Sequence, residues 1–154
     1  MIRSVDFVSQ AEAELLPGRP LPPSVAVISI STPGAWEPIL AEFEHVLRLE
    51  FHDVEEEDAE PWVVFDVDHA KSVIDFVAML QAKDEPVDVV VHCKAGLSRS
   101  PAVALYIAAA TGCDMPRRQE ADEANLLVLD VLTKASGLVL IRPRIRSRIP
   151  EERL

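Results

Sequence analysis

The sequence predicts an α/β layer fold: one domain over residues 1–154, with a central, mainly parallel sheet flanked by helices. Apolar, β-branched runs of strand length alternate with stretches of helical spacing along the chain, the pattern of a parallel sheet with crossover helices. With 154 residues, 49% of them hydrophobic and 27% charged, the chain is long and apolar enough to bury one core. No apolar run approaches the roughly 18 residues that span a bilayer, and the start, MIRSVDFVSQ, lacks the basic-then-apolar pattern of a signal peptide. A soluble, cytoplasmic protein with no stable membrane insertion is expected.

The elements follow in order. Residues 2–8 read as a strand, and Ser9-Gln10-Ala11-Glu12 is a capping-box pattern opening a short helix to about residue 16. Residues 17–24 (PGRPLPPS) hold four prolines and read as a surface loop. Residues 25–30 and 46–51 are apolar runs of strand length. Asp68 is placed as the cap of a helix to about Gln81, with Val73, Phe76, Val77 and Leu80 at helical spacing. Residues 87–91 form a further strand. Pro101 suits the first turn of a helix reaching Thr111 and stopped by Gly112; it is apolar on nearly every face and belongs at the centre of the fold. Ala124, Leu127, Val128 and Val131 mark a last amphipathic helix.

Net charge is −11, unevenly spread: residues 1–100 carry 19 acidic and 7 basic side chains, residues 101–154 carry 7 and 8. An acidic body repels a phosphate backbone, which argues against nucleic-acid binding. Two cysteines, Cys93 and Cys113, are too few for a secreted disulfide framework.

One loop carries chemistry. Residues 92–101 read His92-Cys93-Lys94-Ala95-Gly96-Leu97-Ser98-Arg99-Ser100-Pro101. An apolar strand ends at a cysteine, and a helix begins about seven residues later. The loop between can turn several backbone N–H groups inward, making an anion cradle at a helix N-terminus. Gly96 supplies the backbone freedom of the tight turn, and Arg99 offers a planar fork for two phosphate oxygens. The same positive field favours an exposed, peroxide-sensitive thiolate at Cys93. A bare C-x5-R arises by chance in about one such chain in seven; adding the flanking His, the Gly and the hydroxyl after Arg lowers that to around one in 100,000.

The segment resembles the H-C-x-x-G-x-x-R-[ST] signature of the protein tyrosine and dual-specificity phosphatase superfamily. VVVHCKAGLSRSPAVAL is particularly similar to small dual-specificity and bacterial tyrosine phosphatases. The close match covers about residues 87–112; the order of elements extends it more loosely. The resemblance implies metal-independent phosphomonoester hydrolysis through a cysteinyl-phosphate, with no cofactor. Cys93 would be the nucleophile. Arg99 and the backbone N–H groups of Lys94, Ala95, Gly96, Leu97, Ser98 and Arg99 would bind the phosphoryl oxygens. Ser100 would donate to the sulfur, and His92 would orient the loop. The family also needs an aspartic acid on a loop just after a strand, upstream of the cysteine. Asp53 fits best and Asp58 is the runner-up; the acidic run between and beyond them departs from the family pattern, since crowded carboxylates disfavour one another's ionised form.

Phosphotyrosine in protein leads as the substrate. Lys94, as in some phosphoinositide phosphatases of the superfamily, keeps a lipid or other small phosphoester as the alternative, and a non-catalytic phosphate-binding pseudophosphatase is a third reading. Oligomeric state is left open. Elsewhere, Asp66-Val67-Asp68 resembles the D-x-D motif of haloacid-dehalogenase-type phosphatases but lacks Thr or Val at position 70, so a helix start is the expectation. His45, His52 and His69 lack tight metal-ligand spacing, Cys113 reads as structural, and residues 55–60 as a solvated loop. Residues 141–154 are a basic C-terminal tail with arginines at alternate positions from 142 to 148: an edge strand or terminal tail, a counter-charge to the acidic half, or a weak contact with anionic lipid or substrate.

Overall fold

Four parallel strands form the centre of the computed structural model, which describes residues 1–19 and 22–144. They are β1 (Ile2–Ser9), β2 (Ser24–Ser31), β3 (His45–Glu50) and β4 (Val87–Cys93), in the spatial order β1-β4-β2-β3. Every pairing is parallel: β4 lies between β1 and β2, with Val5 opposite Val89 and Ile28 opposite Val91. Parallel strands need crossover connections: in chain order α1 (Gln10–Glu14) lies between β1 and β2 and α2 (Val67–Gln81) between β3 and β4, residues 32–44 join β2 to β3 without a helix, and α3 (Arg99–Thr111), a short 3-10 turn at Arg118–Ala121 and α4 (Leu126–Ser136) follow the last strand. The α/β fold expected from the sequence is the fold observed. No helix of the described residues is long and apolar enough to cross a membrane.

The inner strands are buried on both faces, as parallel strands covered on both sides must be. Along β4 the side chains alternate: Val87, Val89, Val91 and Cys93 enter the main core cluster, while Asp88 and His92 point to the opposite face. α2, α3 and α4 pack on one another, with α3 also against β1 and β4. From Arg99 to Ile107 every residue of α3 is buried, which explains its nearly uniform apolar character; only its last turn emerges. It stops at Gly112, whose φ of 70° is the left-handed cap conformation.

Three helix boundaries differ from expectation. The helix expected from Asp68 begins earlier: Asp66 is its cap, accepting the N–H groups of Asp68 and His69 at 3.0 and 3.1 Å. His69 completes the box by accepting the Asp66 N–H on Nδ1 at 3.0 Å, the part usually played by Glu or Gln. This local pairing also makes Asp66-Val67-Asp68 a helix start. The capping box at Ser9 and Glu12 is present, but α1 ends at Glu14, and Leu15 is 84% exposed, with nothing apolar to bury. Ala124 precedes α4, which Asn125 caps through its side-chain oxygen and the Val128 N–H at 3.0 Å. Of the basic tail only residues 141–144 lie among those described. They form no strand, so the edge-strand reading fails there, and Arg142 donates instead to the Ala124 carbonyl at 3.4 Å.

Candidate active site

Because all strands run the same way, the loops after β2, β3 and β4 gather at one edge of the sheet, the usual place for a site in such folds. The β4–α3 loop holds Cys93 at its floor. The thiol is buried, with 2% exposure, rather than open to solvent as expected. Its sulfur accepts the Gly96 N–H at 3.2 Å and lies 3.1 Å from Ser100 Oγ. Two groups four residues apart in the chain, the Gly96 N–H and the Ser100 hydroxyl, therefore converge on one sulfur.

Glycine is required at position 96 for two reasons. Its φ is +75°, and a Cβ there would stand 2.6 Å from the Val8 carbonyl carbon and 2.7 Å from the Ser9 nitrogen. The loop thus seats against the end of β1, where Gln10 N–H also donates to the Lys94 carbonyl at 3.2 Å. Lys94, Ala95 and Leu97 face solvent, and Ser98 is half-buried. Ser98 stands at the N-cap of α3 yet its side chain makes no cap bond, so the first N–H groups of that helix are left uncapped by it, a favourable setting for an anion.

Arg99 is 4% exposed and held from behind. Nη1 donates to the Phe51 carbonyl at 2.7 Å and to Thr32 Oγ1 at 3.1 Å, and the guanidinium carbon lies 6.0 Å from the Phe51 ring centre. The remaining donors, Nε and Nη2, make no hydrogen bond or ion pair with the described residues. A buried cation with one nitrogen anchored and two free is pre-set to take two oxygens of an anion.

His92 lies on the other face of β4. Its Nδ1 is 3.2 Å from the Cys93 carbonyl, which can only accept, so Nδ1 carries the proton and Nε2 accepts from Ser29 Oγ at 2.6 Å. Burial pushes its pKa below the ordinary histidine value, partly opposed by the bond to the Cys93 carbonyl and the charge of Glu14. A neutral His92 thus fixes the end of β4 at the point where the loop departs.

The β3–α2 loop brings Asp53 to the site. Asp53 Oδ1 accepts from Ser98 Oγ at 2.7 Å and from Asn125 Nδ2 at 2.8 Å. Asp58, by contrast, sits in an exposed turn further along and makes no hydrogen bond or ion pair with the described residues. Beside Asp53, His52 is tied to Val63 through its backbone and through Nδ1, at 2.7 and 2.9 Å, and its ring packs on Trp62 at 4.8 Å. Residues 52 to 63 therefore close into a loop that presents Asp53 at its base.

Of the ten residues singled out in the sequence for this site, nine run consecutively from His92 to Ser100, with the His92 side chain on the other face of β4 and Lys94, Ala95 and Leu97 facing solvent, and Asp53 joins them through Ser98. Sequence reasoning missed Thr32, which anchors Arg99, and Asn125, which anchors Asp53. Thr32 left no local signal. Asn125 did: an Asn directly before an apolar helical run is a cap pattern. Cys113, next to the far end of α3, is a free thiol whose pKa burial pushes up, and it has no part in the site. A scan against protein-family models finds no match to the chain, and a search of curated proteins finds none.

Proposed function

We propose that the protein is a cysteine-dependent phosphomonoester hydrolase, with phosphotyrosine in protein as the leading substrate. One observation carries the reading: a single loop holds a sulfur that accepts from Gly96 N–H and lies beside Ser100 Oγ, with the free donors of a buried Arg99 on the same loop.

In the first step Cys93 Sγ attacks phosphorus while the bond to the leaving oxygen breaks. Arg99 and the loop N–H groups hold the three equatorial oxygens as charge spreads over them. Asp53 protonates the leaving oxygen. In the second step Asp53 takes a proton from water, water oxygen bonds to phosphorus, and Cys93 leaves as a thiolate steadied by Ser100 and Gly96 N–H. The chemistry uses no metal and no other cofactor, and a thiol nucleophile suits the reducing cytoplasm.

The rim supports an aryl phosphate on protein. Leu97 and Trp62 are 56% and 53% exposed on loops at this edge and offer apolar surface to a phenyl ring. Glu55, Glu56, Asp58 and Glu60, all exposed beyond Asp53, disfavour approach to an anionic bilayer. Exposed Lys94, directly after the nucleophile, favours the second reading, a phosphoinositide or other small phosphoester.

The test is hydrolysis of para-nitrophenyl phosphate with chelator present, parent against Cys93→Ser. Turnover in the parent that disappears in the variant supports the reading. Equal turnover in both means the nucleophile lies elsewhere. No turnover in either, with retained phosphopeptide binding, would favour a pseudophosphatase.

A further inference from the structure

Asn125 is fully buried, and every polar group of it is engaged. Its Oδ1 caps α4 at Val128 N–H, its backbone N–H donates to the Ser98 carbonyl at 2.9 Å, and Nδ2 donates to Asp53 Oδ1 at 2.8 Å and to the Val54 carbonyl at 3.1 Å. One residue thus ties three separate stretches of chain: its side chain joins the start of α4 to the loop bearing Asp53, and its backbone N–H joins both to the Cys93 loop. A helix cap needs only the oxygen. The second half of the amide is spent on Asp53 and its neighbour.

We propose that Asn125 is a positioning residue for the general acid, acting together with Ser98; the proposal rests on the phosphatase reading above. Asp53 is exposed, and a carboxyl on a solvent-facing loop has many rotamers and two equivalent oxygens. Two donors on Oδ1 remove that freedom. They mark Oδ1 as the acceptor and leave Oδ2 as the oxygen that carries the transferable proton. Because Asn125 and Ser98 also bond to each other through the backbone, the acid is fixed relative to the Cys93 loop itself. A proton donor must be within hydrogen-bond reach of the leaving oxygen, so a small drift of this loop would cost rate without altering substrate binding.

The experiment uses the full chain with Asn125→Ser, which keeps a good cap oxygen but cannot reach Asp53. The readout is kcat/KM for two aryl phosphates: phenyl phosphate, whose leaving group needs protonation, and dinitrophenyl phosphate, whose leaving group departs without it. This ratio reports formation of the cysteinyl-phosphate and is blind to its later hydrolysis. Asn125→Ser is expected to lower kcat/KM for phenyl phosphate by roughly ten- to a hundredfold, within the span of general acid catalysis, and for dinitrophenyl phosphate by less than about threefold. In an Asp53→Asn background the same replacement should change neither by more than about threefold. Ser98→Ala, at a half-buried position, removes the other donor with little change in packing and should show the same selectivity.

Equal losses on both substrates, an unchanged phenyl phosphate rate, or a loss that persists with Asp53→Asn would each overturn the positioning role while leaving the phosphatase reading intact. A parent with no Cys93-dependent turnover on either substrate removes the phosphatase reading, and this role with it.

Discussion

Ser98 Oγ donates to Asp53 Oδ1 at 2.7 Å, across 45 residues of sequence. The bond joins the loop that carries Cys93, the proposed nucleophile, to the loop that carries Asp53, the proposed acid. It also explains why Ser98 does not cap α3, although serine is a favoured cap. Its hydroxyl is engaged by Asp53, and the helix N-terminus is left without that cap.

The sequence ranks Asp53 ahead of Asp58 by its place just after a strand, and this bond gives Asp53 a partner on the Cys93 loop. Asp53→Ala should lower kcat on ordinary aryl phosphates by roughly a hundredfold or more, within the range of general acid catalysis, while Asp58→Ala should stay near the parent rate. Steady-state kinetics on the two variants checks this. A deep loss in Asp58→Ala with Asp53→Ala unaffected would reverse the assignment.

Ser100 Oγ lies 3.1 Å from the Cys93 sulfur and so, in the proposed mechanism, would act where negative charge returns to that atom. Hydrogen bonds to charged groups contribute about 1.5–3 kcal/mol, so Ser100→Ala should slow release of the thiolate by roughly ten- to a hundredfold. The loss should fall on kcat and spare kcat/KM, and stopped-flow traces should show a burst of nitrophenolate as the cysteinyl-phosphate accumulates. A uniform fall in kcat/KM would place the hydroxyl in the first step.

Gly96 combines a left-handed φ with a close approach to Val8 and Ser9. Gly96→Ala must displace backbone, with a strain cost on the order of 1–3 kcal/mol. Thermal melting should register that cost, and activity should fall further, since the N–H that meets Cys93 moves with the loop. A variant that melts and turns over like the parent would contradict the packing described here.

Much of this was legible in the sequence, for local reasons. The strand, loop and helix around Cys93 follow from an apolar run, a glycine and a proline within fifteen residues, so periodicity and turn chemistry suffice. The α2 start was misplaced because two aspartates two residues apart both satisfy the cap pattern, and only the reciprocal bond to His69 selects Asp66. Thr32 and Asn125 lie 67 and 72 residues from the partners they hold, Arg99 and Asp53. Such pairings depend on strand order, which no local pattern encodes.

Two buried groups predict the pH dependence of stability. Burial lowers the His92 pKa, so the unfolded chain binds a proton more readily. Its contribution is fully present above the ordinary histidine value of about 6.5 and is lost as pH falls below that toward the folded value. Asp88 is pushed up by burial but pulled lower overall by the hydrogen bonds from Arg3, Ser4 and Arg19. Its contribution is present above the ordinary aspartate value of about 3.9 and is lost as pH falls further. Denaturant melts should therefore weaken in two separate stages. His92→Gln should abolish the first and Asp88→Asn the second; a first stage that survives in His92→Gln would assign it to another group.

The central claim is that phosphorus passes through the Cys93 sulfur. The most direct measurement is to mix Asp53→Ala protein with an activated aryl phosphate, quench in acid within milliseconds, and map phosphate by peptide mass spectrometry. With its proposed water-activating group gone, the variant should hold a phosphoryl group on the peptide bearing Cys93, and Cys93→Ser should hold no sulfur-linked phosphoryl group there. Phosphate found on another residue, or product formed with no phosphorylated protein at any time point, would contradict the account.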